Sequence, residues 1–130
     1  MNSEKLKIKT FTDLNSWQES HNLVLLIYDI TKKFPRDEIF GLVSQMRRSS
    51  ISITSNIAEG FGRQSYKEKV QFYYLAQGSL TELKNQIITA KDVGYIEDED
   101  FQKLINQADL AHKLLQGLIT KSKTFISPKS

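Results

Sequence analysis

The residues best placed for chemistry lie between Gln45 and Val70. Gln45, Arg48, Ser52, Asn56, Glu59 and Arg63 follow one another at spacings of three and four, which puts them on one stripe of a helix. Arg47, Arg48, Arg63, Lys67 and Lys69 make the same segment basic, with only Glu59 and Glu68 against them. A solvated helix face is usually richer in Lys and Glu pairs and poorer in Ser and Asn. The mixture therefore points to a buried or interfacial hydrogen-bond network, in which planar guanidinium groups hold carboxylates or amides through paired donors. Phosphate contact by some of these cations is a second reading, and plain surface a third. The first two are compatible: Arg48 would knit the protein together while Arg47, about 100° around the helix, faces outward. Tyr66, Phe72, Tyr73 and Tyr74 beside Lys67 and Lys69 have the composition that stacks on the bases of a single strand. Core filling is the alternative, since Phe72 and Tyr73 already fall on helical stripes.

Other candidate chemistries lack their residues. His21 and His112 are the only histidines and lie on different expected helices, in neither a Glu-x-x-His nor a His-x-x-x-His spacing. A di-iron bundle needs carboxylates from all four helices and Glu-x-x-His on two of them, so no metal site is expected. Cysteine is absent, which removes disulfides, thiolate nucleophiles and Cys-based metal cages. No serine occupies a Gly-x-Ser-x-Gly elbow. Gly60-Phe61-Gly62 follows no strand and matches neither nucleotide fingerprint, so it reads as an interhelical turn. Gly78, with Ala76 and Ser79, reads as a place where another helix approaches closely. No enzyme activity and no cofactor are expected.

Four amphipathic helices must position these residues, roughly 13–34, 38–61, 65–93 and 98–125. Thr12 or Asp13 is a natural N-cap for the first, whose stripe of Leu14, Trp17, Val24 and Tyr28 is widened by Leu23, Leu26, Ile27 and Ile30 and ended by Pro35. The second carries a narrow apolar seam of Met46, Ser49, Ile53, Ile57 and Phe61. Ser65 and Glu68 form a capping box for the third, and Gly94 supplies its left-handed end. Phe72, Ala76, Ser79, Leu83, Ile87 and Ala90 line one face of that helix, with Tyr73, Leu80 and Ile88 beside them. The acidic run Glu97-Asp98-Glu99-Asp100 suits the positive N-terminal end of the fourth. Four long helices, short connections and no strand signal predict an all-α, antiparallel up-and-down four-helix bundle in one domain. The last residues, Ser127 to Ser130, read as a frayed tail.

With 130 residues, 39% hydrophobic and 25% charged, the chain is long enough to bury about two-thirds of its unfolded surface. Its net charge of +3 mildly favours polyanions. The start has no apolar signal segment and no apolar run is long enough to span a bilayer, so a cytoplasmic, membrane-free protein is expected.

Longer motifs carry a family likeness. Phe11-x-Asp13-Leu14-x-x-Trp17-Gln18, Phe34-Pro35-x-x-Glu38-x-Phe40-Gly41-Leu42-x-x-Gln45-x-Arg47-Arg48, Ser52-Ile53-x-x-Asn56-Ile57-Ala58-Glu59-Gly60-x-Gly62-Arg63 and Ala76-x-Gly78-Ser79-Leu80-x-Glu82-Leu83 resemble the bacterial 23S rRNA intervening-sequence protein family. The likeness runs from about Phe11 to Ile119. It implies a four-helix bundle assembling into a ring, typically a homopentamer. It also implies a relation to the accessory variability determinant of diversity-generating retroelements, whose basic barrel binds nucleic acid and a reverse transcriptase. No enzyme activity is implied. The family's name records a gene location and is weak support for a ribosomal role. Ser49 and Ser50 stand where the family usually has small apolar residues, and Thr54 where it often has proline, which softens the packing of the second helix. The expectation is a homo-oligomer that associates with RNA or DNA through Arg47, Arg48, Arg63, Lys67 and Lys69. A ring-shaped scaffold for a protein partner is the alternative.

Overall fold

The structure, a computed structural model, describes residues 7–128; the end of the expected tail, Lys129 and Ser130, lies outside them. Four helices dominate: α1 (Asn15–Thr31), α2 (Ser44–Phe61), α3 (Tyr66–Asp92) and α4 (Asp98–Lys123). Each packs on its neighbours in sequence and α1 closes on α4, the arrangement of an up-and-down bundle. Among the described residues there is no strand. The shared core is built from Leu23 and Ile27 of α1, Met46, Ile53 and Ile57 of α2, Leu80, Leu83 and Ile87 of α3, and Leu104, Leu115 and Ile119 of α4, all fully buried. Each such side chain stabilises the fold by about 1.5–3 kcal/mol relative to exposure.

Local signals fix three helix ends. The Ser65 hydroxyl accepts the Glu68 amide at 3.2 Å, while its own proton goes to the Glu68 carboxylate at 3.3 Å. The expected cap is present, with its second bond running side chain to side chain. Gly94 has φ of 89°, and the Tyr95 amide reaches back to the Ala90 carbonyl at 2.9 Å, the six-to-one bond of a Schellman ending. Asp98, Glu99 and Asp100 occupy the first turn of α4.

Other boundaries differ from expectation. Thr10 and Asp13 form a capping box on a short 3₁₀ turn, Phe11–Asp13, so α1 begins after Leu14 and neither Thr12 nor Asp13 is its cap. Before α2 the chain makes a 3₁₀ turn at Arg36–Glu38 and a π-helical turn at Ile39–Val43. Gly41 leaves the helical region with φ −108° and ψ −113°, and the Glu38 carboxylate fills the space above it to accept the Leu42 amide at 3.1 Å. The Tyr95 hydroxyl donates to the same carboxylate at 2.8 Å. These bonds, the Leu42 amide first, hold the Glu38 pKa below its usual value.

Packing also reassigns some faces. Ile88 is exposed and Phe61 only half-buried, whereas Ser50 and Gly60 are buried. Gly60 belongs to α2 rather than to a turn; it lies flat against the Tyr73 ring, which is 2% exposed. Gly78 has nothing within 4 Å of where a Cβ would stand, so the close α2–α3 approach is at Gly60 and not at Gly78.

Candidate interaction surface

The polar row on α2 breaks into three parts. Ser52 and Asn56 are half-buried at the α2–α3 seam. The Ser52 and Ser79 hydroxyls bond at 2.8 Å, and the Asn56 amide donates to the Ser52 carbonyl at 2.9 Å. At the C-terminal end, Glu59 and Arg63 pair at 3.2 Å, and the Arg63 guanidinium lies 4.5 Å over the Phe72 ring. Both members are exposed, so the ion pair contributes little, at most about 1 kcal/mol. Gln45 and Arg48 are exposed, and among the described residues no hydrogen bond or ion pair holds either. Among the described residues, then, no continuous network within the chain runs along the row.

The expected roles of Arg47 and Arg48 are reversed. Arg47 turns inward toward α1, where Nε donates to the Thr31 hydroxyl at 3.1 Å and Nη2 to the Tyr28 carbonyl at 3.4 Å. Its guanidinium sits 4.5 Å over the Tyr28 ring. The reason is geometric: one residue of rotation about α2 moves a side chain from the α1 seam to solvent. Arg48 takes the outward position.

The remaining basic residues also separate. Lys69 donates to the Phe61 carbonyl at the end of α2, satisfying an acceptor that helix termination leaves open. Burial lowers its pKa. Lys67 is exposed on the first turn of α3. Of the four candidate aromatics, Tyr73 is buried and Phe72 lies under Arg63. Tyr66 packs on Phe125 at 4.9 Å, and the Tyr74 hydroxyl accepts from Lys123 at 3.2 Å. They do not make one stacking platform.

One feature had no signal in the sequence. Phe40, lifted by the break at Gly41, is 95% exposed and borders a cleft of about 440 Å³ lined by Gln45, Arg48, Ser49, Ser52 and Glu82. The cleft thus joins a bare aromatic ring, a cation without an internal partner and a carboxylate from α3. A second shallow groove, lined by Ser55, Ala58, Glu59, Gly62 and Arg63, continues along the same face.

The histidines occupy packing positions. His21 stacks on Trp17 with centroids 4.7 Å apart. Lys84 donates to His112 Nδ1 at 3.0 Å and pairs with Asp109 at 3.0 Å; burial, followed by the Lys84 charge, lowers the His112 pKa. Among the described residues no three His, Cys, Asp or Glu side chains gather as metal ligands. No described helix is long and apolar enough to cross a membrane.

These features define an up-and-down four-helix bundle that carries a partly unpaired polar face beside a protruding aromatic. The chain belongs to the 23S rRNA-intervening sequence protein family, whose model matches residues 12–117. Its fold is similar to the solved structure of a protein of unknown function from the S23 ribosomal protein family of Bacteroides thetaiotaomicron. The two are 23% identical with a TM-score of 0.75, over 81% of this chain and 95% of that one. No curated protein matches the chain.

Proposed function

We propose that the protein is a non-enzymatic, self-associating cytoplasmic bundle, in which the face around Phe40 and Arg48 meets a second copy of the chain. The observation that carries this reading is the 95% exposure of Phe40 beside a cleft holding both Arg48 and Glu82. Burying a phenylalanine contributes about 1.5–3 kcal/mol, and aromatic and arginine side chains are the usual energetic centres of protein contacts. A patch with charges of both signs is suited to its own copy. The family likeness adds the expectation of a ring of five. Phe40→Ser is expected to shift the oligomer toward the 15.0 kDa monomer in light scattering, with helical circular dichroism unchanged. Arg48→Glu should weaken assembly in the same direction. A wild-type chain monomeric at high micromolar concentration, or assembly indifferent to both changes, would overturn the proposal.

A second reading, association with RNA or DNA, draws on a different observation. Arg63, Lys67, Lys69, Lys121 and Lys123 lie at the end of the bundle where α2 and α4 finish and α3 starts. At the opposite end Asp37, Glu38, Asp92, Glu97, Asp98, Glu99 and Asp100 outnumber Lys32, Lys33, Arg36, Lys91 and Lys103, and Lys33 is paired with Asp100 at 3.1 Å. A polyanion would meet the first end, and its affinity would fall with salt as counterions are released. In fluorescence anisotropy with labelled structured RNA and single-stranded DNA, replacing Lys121 and Lys123 by Gln should reduce the log–log salt slope by about one for each phosphate interaction abolished. Absence of binding at low salt would remove this reading and leave the first untouched.

A further inference from the structure

A pocket of about 250 Å³ opens at the basic end of the bundle, between the end of α2, the start of α3 and the last turns of α4. Its apolar wall includes Leu14, Phe61 and Leu118, and its polar groups include Tyr73, Lys69 and Lys121; among the described residues no acid lines it. Tyr73 is only 2% exposed, yet its hydroxyl makes no hydrogen bond among the described residues. The hydroxyl is not sealed from solvent, and a polar ligand in the pocket can take the place of water on it. Lys69 spends one donor on the Phe61 carbonyl and, as an ammonium, has two more.

The geometry points to a site for a small amphipathic monocarboxylate, its apolar body against Leu14, Phe61 and Leu118 and its carboxylate toward Tyr73 Oη and the Lys69 and Lys121 ammonium groups. At the ~30 Å³ that a water occupies in the liquid, the pocket holds a ligand of about eight to ten non-hydrogen atoms, the size of octanoate. The Tyr73 pKa is pushed up to about 12 by burial and by Tyr66, so the phenol remains a proton donor at neutral pH and can give a hydrogen bond to a carboxylate. The two lysines select against a cation of the same shape. Self-association around Phe40 uses the opposite end of α2, so this site stands or falls separately from it.

The test is a titration of the full-length, ¹⁵N-labelled chain with sodium octanoate at pH 7.5, followed by amide chemical shifts, with octylammonium chloride as the control probe. Saturable shifts confined to the amides around Leu14, Phe61 and Leu118 are expected. Tyr73→Phe and Lys121→Gln should each weaken binding about tenfold, the effect of losing one charge-assisted hydrogen bond. Lys121 is exposed, so its variant keeps the test valid if the tyrosine change disturbs packing. Shifts that do not saturate, equal binding of octylammonium, or variants that bind octanoate as well as the parent would each overturn the assignment.

Discussion

Gly60→Val should destabilise the bundle by about 3 kcal/mol or more, a fall in Tm on the order of 10 °C for a chain of this length. A Cβ at this position would stand 2.7 Å from Tyr73 Cε1, 2.9 Å from Tyr73 Cδ1 and 3.0 Å from Phe72 Cβ. The tyrosine ring belongs to the packed core, so it can move aside only by shifting core neighbours, and Phe72 Cβ moves only with the α3 backbone. Valine adds two further methyl groups to that collision. Gly60→Ala is the sharper comparison, because alanine gains about 1 kcal/mol of helix propensity over glycine against an overpacking cost of about 1–3 kcal/mol. A net loss near 1 kcal/mol is expected by differential scanning calorimetry. An increase in Tm for the alanine variant would show that α3 can withdraw from α2 without penalty, and the close crossing would lose its structural importance.

Arg47→Ala should cost about 2 kcal/mol and Arg48→Ala less than about 0.5 kcal/mol, although the two residues are adjacent and identical. Arg47 ties α2 to α1 through the Tyr28 carbonyl, the Thr31 hydroxyl and the Tyr28 ring. Its loss removes one of two side-chain donors near the Tyr28 carbonyl, the Thr31 hydroxyl at 3.4 Å being the other, and uncovers a half-buried ring. Arg48 reaches no acceptor among the described residues, so its removal is expected to leave folding unchanged and, on the proposed self-association, to weaken assembly. Urea unfolding of the two variants, at a concentration where the Phe40→Ser background is monomeric, separates the effects. Equal losses in the two would contradict the rotation of α2 that turns Arg47 inward and Arg48 outward. On the second proposed reading, association with RNA or DNA, affinity should be unchanged by replacing Arg47, which is committed to α1, and lowered by Lys121→Gln.

Several elements are legible in local chemistry. Ser65, Glu68 and Gly94 announce the ends of α3 because capping and left-handed termination involve residues within a few positions of each other. Leu104, Ala108, Ala111, Leu115 and Ile119 announce the buried face of α4, since a helix hides only one stripe. The break before α2 is harder to foresee: Ile39, Phe40, Leu42 and Val43 read as apolar residues of a starting helix, yet Gly41 and the Glu38 carboxylate turn the backbone and leave Phe40 outside. Its apolar character gives no sign of the solvent it meets.

The polar row shows the same limit from the other side. Spacing places Gln45, Arg48, Ser52, Asn56, Glu59 and Arg63 on one stripe, but a stripe has no partner until a neighbouring helix is laid against it. α3 reaches only the middle of the row, through Ser79, and so bonds are made there while Arg48 stays open. Tyr73 was equally ambiguous between a stacking surface and the core until Gly60 admitted its ring.

Helix number, helix type and the approximate apolar faces follow from the order of the residues, because capping and amphipathic periodicity act within one or two turns. The inward course of Arg47, the bare ring of Phe40, the Gly60–Tyr73 crossing and the Tyr73 pocket arise from contacts between segments far apart in the chain. A rotation of one helix by a single residue, about 100°, exchanges a core position for a surface one, and that rotation is set by how all four helices pack together.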